Sequence, residues 1–291
     1  MLERLIHLNK DPQMKNYLNH SFNPDDPDLI SVIDELPLWS APFGLSLLDT
    51  INLMPNINAL DVGCGLGFPL IELSQQLGNS CNVYGIDPWE SAIERINLKI
   101  KTYDLKNVIA IKGVAEEMPF NDNFFDLIVS NNGINNVADM NKSLNECSRV
   151  CKPGAQFSFT LNLEDTMIEF YDLFEDILIK NKLVEEVKKM KQQVYLKRKP
   201  LKDIKKSLNE TGFEIKSIKN DSFTLRFLDG ATMFNHSLIK YWFLDGWKNI
   251  MKPDDLQNIF EQLEDKLNSI SKENNEIILT VPFVTVDCRK T

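Results

Sequence analysis

The sequence predicts an α/β protein: a mostly parallel sheet with helices on both faces and an antiparallel C-terminal strand at its edge. Three observations predict it. Strand and helix patterns alternate from about residue 57 to residue 161. An apolar run at 59–62 opens into the alternating glycines Gly63, Gly65 and Gly67. A strongly β-patterned segment at 277–286 then follows a helical stretch late in the chain.

Each element has a local reason. Residues 57–62 are apolar enough to be buried on both sides, as a central parallel strand is. The glycines after it form a loop without Cβ atoms, where the backbone turns sharply and presses against a ligand. Their spacing is G-x-G-x-G, and position 68 is Phe where a dinucleotide fingerprint requires its third glycine. No Lys-Ser/Thr follows, which disfavours a phosphate-cradling loop as well. A helix at 69–77 starts with Pro in its first turn, and a strand at 81–86 runs into Asp87-Pro88, the opening of a helix at 89–101. Strands at 108–111 and 125–130, a helix at 140–150 and a strand at 156–161 complete the alternating part, with Lys152-Pro153-Gly154 closing the last helix. Beyond it the pattern gives a helix at 201–209 stopped by Thr211-Gly212, strands at 213–218 and 222–228, a helical stretch at about 231–270 and the late strand at 277–286.

Composition excludes several classes. The net charge of −10 opposes a nucleic-acid footprint, because neutralising phosphates needs a basic face. Five cysteines, at 64, 81, 147, 151 and 288, are an odd number without framework spacing. With no basic N-terminal region followed by an apolar core, they lead to the expectation of a reduced, cytoplasmic protein. Cys147 and Cys151 lie four apart on a predicted helix, a spacing that suits a buried face better than a metal pair, and no metal site is expected. No segment reaches the ~18 apolar residues of a membrane span. Residues 180–206, however, hold eleven Lys/Arg against three acids. That run reads as a solvated face, or as a peripheral contact for an anionic substrate or membrane surface.

Ligand chemistry is expected at the carboxyl ends of the strands. Asp87 follows Gly67 by twenty residues, and a carboxylate there accepts both hydroxyls of a ribose; it also suits a helix N-cap. The loop at 113–120 offers a polar edge for an adenine ring. Asp61 faces a ligand ammonium or caps its strand, and the residues alone leave both open.

Together the glycine loop, Asp87, Ala115-Glu116, Phe125-Asp-Leu-Ile-Val-Ser130 and Arg149-Val-Cys-Lys-Pro-Gly154 resemble class I S-adenosylmethionine-dependent methyltransferases. The nearest resemblance is to the small-molecule group that includes ubiquinone and menaquinone biosynthesis methyltransferases. It covers about residues 57–161, with a weaker echo at 208–218. It implies a Rossmann-like seven-stranded sheet with helical lid insertions, and S-adenosylmethionine as cofactor. On that resemblance Gly63 and Gly65 contact the methionine portion, Asp61 reaches its ammonium and Asn131 holds the methionine end. Asp87 holds the ribose, Pro88 and Trp89 flank the adenine, Ala115 donates its N–H to the ring and Glu116 accepts from the exocyclic amine. Lys-Pro-Gly-Ala at 152–155 and Phe68-Pro69 depart from common family patterns without touching these roles.

The loop at 130–136 lacks the Asn/Asp-Pro-Pro-aromatic motif of nucleic-acid amino methyltransferases, and no Pro-Cys nucleophile occurs, so a small-molecule acceptor is expected. Asn132 and Asn135 are acceptor-contact candidates, although Asn is also common turn material. Residues 1–50 are expected to form a helical cap, with Tyr17 and Trp39 as further acceptor contacts. The remaining 51–291 form the methyltransferase domain, with helical insertions at about 163–200 and 230–272. Aromatics at helical spacing also suit an ordinary core. Methyl transfer from a sulfonium needs chiefly proximity and a dry pocket; if a base is used, His7, His20 and His236 are the available histidines, with His236 the candidate in its aromatic-rich helix. A non-catalytic S-adenosylmethionine-binding regulator and a nicotinamide oxidoreductase stay open as alternatives.

Overall fold

A computed structural model describes residues 15–33 and 38–291. The chain runs through α1 (Pro27–Ile33), α2 (Ser40–Leu48), β1 (Asn58–Val62), α3 (Leu70–Leu77), β2 (Asn82–Asp87), α4 (Glu90–Thr102), β3 (Val108–Lys112), β4 (Phe125–Asn131), α5 (Met140–Val150) and β5 (Cys151–Asn162). It continues with α6 (Ile168–Lys180), α7 (Val184–Lys197), α8 (Leu201–Glu210), β6 (Phe213–Phe227), α9 (Gly230–Asn235), α10 (Ser237–Trp242), α11 (Leu244–Lys248), α12 (Pro253–Asn274) and β7 (Ile277–Lys290).

The seven strands form one sheet in the order β3-β2-β1-β4-β5-β7-β6. β1 pairs parallel with β2 and β4, β2 with β3, and β4 with β5. β7 pairs antiparallel with β5, from Gln156 opposite Arg289 to Asn162 opposite Phe283. The antiparallel C-terminal strand is therefore present, but it inserts between β5 and β6, which leaves β6 outermost. Where the sequence suggests two strands, at 213–218 and 222–228, β6 is a single fifteen-residue strand. Its polar centre at 219–222 is exposed, so Asn220 and Asp221 face water and need no turn.

Strand order reverses beside β1, with β2 on one side and β4 on the other. In open α/β sheets that switch point opens a crevice at the carboxyl ends, here between the loop after β1 and the loop after β4.

The chain divides into two compact units. The larger comprises residues 24–33, 38–166, 194–223 and 280–291. Its sheet is buried on both faces by side chains that alternate with the pleat. Leu60, Val62, Ile128, Phe157, Phe159 and Val286 fill one face, while Ala59, Leu127, Val129, Leu70, Leu73 and Ile96 fill the other. α2 joins this unit through polar and aromatic contacts. Ser46 Oγ and Thr285 Oγ1 are 2.7 Å apart, Thr50 Oγ1 and Ser158 Oγ 2.6 Å, and the rings of Phe43 and Phe283 meet at 4.8 Å.

The smaller unit comprises residues 15–23, 167–193 and 224–279. Its core is aromatic. Trp247 stacks on Phe170 with centroids 4.0 Å apart, Tyr17 stacks on Phe234 at 4.8 Å, and Phe260 closes the group. The polar atoms of these rings are paired, as buried Tyr and Trp require. Tyr17 donates to Glu264 Oε2 at 2.8 Å, and Trp247 Nε1 donates to Tyr171 Oη at 3.0 Å.

Candidate functional site

Backbone geometry builds the glycine loop. Gly63, Gly65 and Gly67 have φ of +75°, +48° and +102°, all in the region that side chains disfavour. The amides of Gly63 and Cys64 donate to Ile86 O at 2.9 and 3.2 Å, and Lys99 Nζ holds Leu66 O at 2.6 Å. A Cβ on Gly65 would meet nothing within 4 Å, so the middle of the loop presents bare backbone to open space. Gly63 instead faces Gly133 in the loop after β4. A Cβ on Gly133 would lie 2.7 Å from Val62 O and 2.9 Å from Ser130 Oγ. The two loops approach so closely that only glycine fits there.

Two carboxylates lie at the loop. Asp87 Oδ2 accepts the Gly65 amide and Oδ1 accepts the Trp89 amide, each at 2.9 Å. Burial raises its pKa, and those two amides oppose the rise. Asp61, at the end of β1, is fully buried, and neither of its oxygens has a hydrogen-bond partner. Burial pushes its pKa up to about 8 and the nearby Asp87 charge adds to the rise; the Leu70 amide at the start of α3, outside hydrogen-bond geometry, only partly offsets it. Burial likewise raises the adjacent Cys64 thiol well above its ordinary value. A buried carboxyl without a partner is costly, and a cationic group beside it would lower that cost.

The other expected residues fall into three groups. Pro88, Trp89, Ala115, Glu116, Asn131, Asn132 and Asn135 all lie in the loops and strand ends at the carboxyl side of β2, β3 and β4. Trp89 Nε1 donates to Pro24 O at 2.8 Å, which fixes its indole. Glu116 has a structural task that its sequence position does not reveal: Oε1 accepts the Ala138 and Asp139 amides at 2.7 and 3.0 Å, so that oxygen is already occupied. Asn131 is held on both sides, donating to Ser40 O at 3.2 Å and accepting from Thr160 Oγ1 at 3.0 Å. Asn132 Oδ1 accepts the Asn162 amide, and Asn135 Nδ2 donates to Asn162 Oδ1 at 2.8 Å. Both asparagines are buried, and Asn135 Oδ1 has no partner.

Trp39 stands at the start of α2, packed on Phe43 and Phe223 with centroids at 5.3 and 6.1 Å. Tyr17 and His236 belong to the smaller unit. Tyr17 is 2% exposed and both stacked and hydrogen-bonded within that unit's core, which corrects the expectation of an acceptor contact to a packing role. His236 caps α10, its Nδ1 accepting the Leu238 amide, and burial lowers its pKa. His20 lies in the same unit, and His7 lies outside the described residues. Ser130, Gly133, Thr160 and Asn162 are the site residues not anticipated. Gly133 carried a usable signal, a lone glycine two residues past a strand; Thr160 and Asn162 carried none, because only the β4–β5 pairing brings them here.

A methyltransferase-domain family model matches residues 53–262, well over half of the chain. The chain belongs to this family. The chain is 36% identical over 120 residues to a demethylmenaquinone methyltransferase of Bacillus mycoides, an alignment covering 41% of this chain and 51% of the relative. It spans about half the length of the curated relatives it matches. Among solved structures it is similar to the YcgJ protein of Bacillus subtilis, with 17% identity, a TM-score of 0.55, and coverage of 86% of this chain and 98% of that one. It is also similar to the geranyl diphosphate C-methyltransferase of Streptomyces coelicolor, with 14% identity, a TM-score of 0.54, and coverage of 89% and 82%. Those structural likenesses show the fold. The family is that of class I S-adenosylmethionine-dependent methyltransferases, and the chain's own residues fit that methyl donor: an orphaned buried acid, bare loop backbone and a second acid held at the loop's rim. Among the described residues no cluster suits a metal ion, and no helix is long and apolar enough to cross a membrane.

Proposed function

We propose that the protein transfers a methyl group from S-adenosylmethionine to a small-molecule acceptor. The observation that carries this reading is Asp61, a fully buried carboxylate without a partner beside a glycine loop whose backbone is open to a ligand. S-adenosylmethionine supplies an already activated methyl group when bound. Asp61 would balance the ammonium of the methionine portion, with Gly63 and Gly65 lining it and Asn131 holding its end. Asp87 would take the ribose hydroxyls on lone pairs left by the Gly65 and Trp89 amides, since a carboxylate has about four acceptor sites. Pro88 and Trp89 would flank the adenine, and the Ala115 N–H would read its edge. Glu116 would chiefly brace this edge through Ala138 and Asp139.

Transfer is an in-line displacement, so the chain's part is to hold the acceptor atom ~3 Å from the methyl carbon and to exclude water. Asn132 and Asn135, beside Asn131, would contact the acceptor, with Trp39 a further candidate. The relatives named as demethylmenaquinone methyltransferases support an aromatic, quinol-type acceptor. Five free, buried cysteines support a reducing, cytoplasmic setting. Calorimetry with S-adenosylhomocysteine tests the donor site: micromolar binding is expected, and Asp87→Ala is expected to abolish it. Incubation with S-adenosylmethionine and 1,4-dihydroxynaphthalenes, read by mass spectrometry, tests transfer. A protein that binds the donor and leaves a broad acceptor pool unmethylated is a regulator instead.

A further inference from the structure

We infer that the end of α7 and the outer face of α8 form a docking surface for an anionic lipid bilayer. The inference goes beyond the donor site and does not depend on it. Residues 194–209 hold six basic residues and one acid, Asp203, in a chain of net charge −10. Within this stretch Tyr195 and Leu196 are 51% and 58% exposed, side by side at the end of α7. Lys197 beside them is exposed. On α8, Lys202, Lys205 and Lys206 are exposed and share one helical face, at i, i+3 and i+4, while Ile204 and Leu208 turn inward and are buried.

Arg198 is buried and donates to Thr166 O at 3.1 Å, so the lysines carry the surface charge of this stretch. Among the described residues, Lys197, Lys199, Lys202 and Lys205 have no carboxylate at ion-pair distance, and Lys206 reaches Glu210 only at 3.8 Å. The lysines earlier in α7 differ, with Lys188 paired to Glu185 at 2.7 Å and Lys191 to Glu175 at 2.6 Å. A run of lysines, most without a carboxylate partner, following in sequence an exposed aromatic and an exposed aliphatic side chain has the composition of an interfacial anchor. Tyrosine suits the headgroup level and leucine the acyl boundary, whereas leucine gains nothing from the phosphates of a nucleic acid. The acidic remainder of the chain does not prevent this, because screening limits the interaction to charges within about 8 Å of the surface.

Flotation of the whole protein with vesicles tests the inference. Binding is expected to vesicles of about three parts phosphatidylcholine to one part phosphatidylglycerol, not to phosphatidylcholine alone, and high salt should release it. Each lysine near an anionic surface strengthens binding about fivefold, so combining Lys202→Ala, Lys205→Ala and Lys206→Ala should weaken it about a hundredfold. Tyr195→Ser with Leu196→Ser should weaken it about tenfold and leave the residue fully salt-sensitive. All five side chains are exposed, and unchanged thermal melting and S-adenosylhomocysteine affinity confirm intact variants. Wild-type protein that ignores the anionic vesicles, variants that bind them as wild type does, or capture by poly(U) in preference to vesicles would each overturn it.

Discussion

Replacing Asp61 by Asn separates what this carboxyl does for a ligand from what it does to the fold. Its pKa is raised from 3.8 to about 8 in the folded protein. The unfolded chain therefore releases this proton near pH 4, while the folded chain keeps it until about pH 8. Between those values the unfolded state binds fewer protons, so the group lowers stability by about 1.4 kcal/mol per pH unit, and the loss levels off above pH 8. The accumulated loss is about 2 kcal/mol at pH 5 and about 4 kcal/mol at pH 7. A carboxamide is neutral at every pH and shares the protonated carboxyl's shape, so their burial penalties nearly cancel. Asp61→Asn should thus be more stable than wild type by roughly these amounts, with the gain growing from pH 5 to pH 8. Urea unfolding at several pH values measures it, with the midpoint rising and the denaturant slope unchanged. S-adenosylhomocysteine affinity, followed by calorimetry, should fall at least about tenfold, because the ammonium loses its counter-charge. Parallel pH profiles for the two proteins, or a variant less stable at pH 8, would refute the reasoning. Stability gained at a site where binding is lost is the expected signature of a functional residue.

Gly133→Ala places a Cβ against Val62 O and Ser130 Oγ, and should destabilise by about 1–3 kcal/mol in denaturant titration while weakening donor binding through the displaced glycine loop. Trp247→Ala removes a 1% exposed indole from the aromatic core of the smaller unit, and a loss of about 3–5 kcal/mol is expected by thermal or chemical unfolding. His236→Ala should lose about 1 kcal/mol of cap stabilisation, and His236→Asn should restore it. Turnover within a few-fold of wild type in His236→Asn would assign the histidine to capping; a collapse of turnover in that stable variant would assign it to proton transfer.

The parts legible in the sequence were those written locally. β1 and its glycines are contiguous, and nothing distant is needed to read an apolar run opening into a loop that side chains disfavour. Asp87 was legible for the same reason, at a strand end before Pro88. The parts that were not legible depend on what lies across space. β7 was recognisable as a strand, but its place between β5 and β6 is a long-range pairing that no local pattern encodes. The sequence pattern gives two strands where β6 is one, and on that exposed strand Asn220 and Asp221 meet water at little cost. Aromatics near the N-terminus suit a lid, which makes Tyr17 an acceptor candidate, yet Glu264, 247 positions away, gives its hydroxyl a partner in a core. Asp61 was readable as an acid at the loop, and only the fold shows that nothing neutralises it.

The fit between α2 and the glycine loop bears on where this domain can be cut. Likeness to the family begins at residue 53, yet Gly44 already lies so close to the Phe68 ring that a Cβ there would collide with it. Ser46 and Thr50 reach the hydroxyls of Thr285 and Ser158, and Phe43 covers Phe283. A shortened chain starting at residue 53 would keep every donor-site residue and still uncover two phenylalanines and two buried hydroxyls. The smallest piece expected to fold and bind the donor therefore begins before residue 40, upstream of the boundary that family likeness draws.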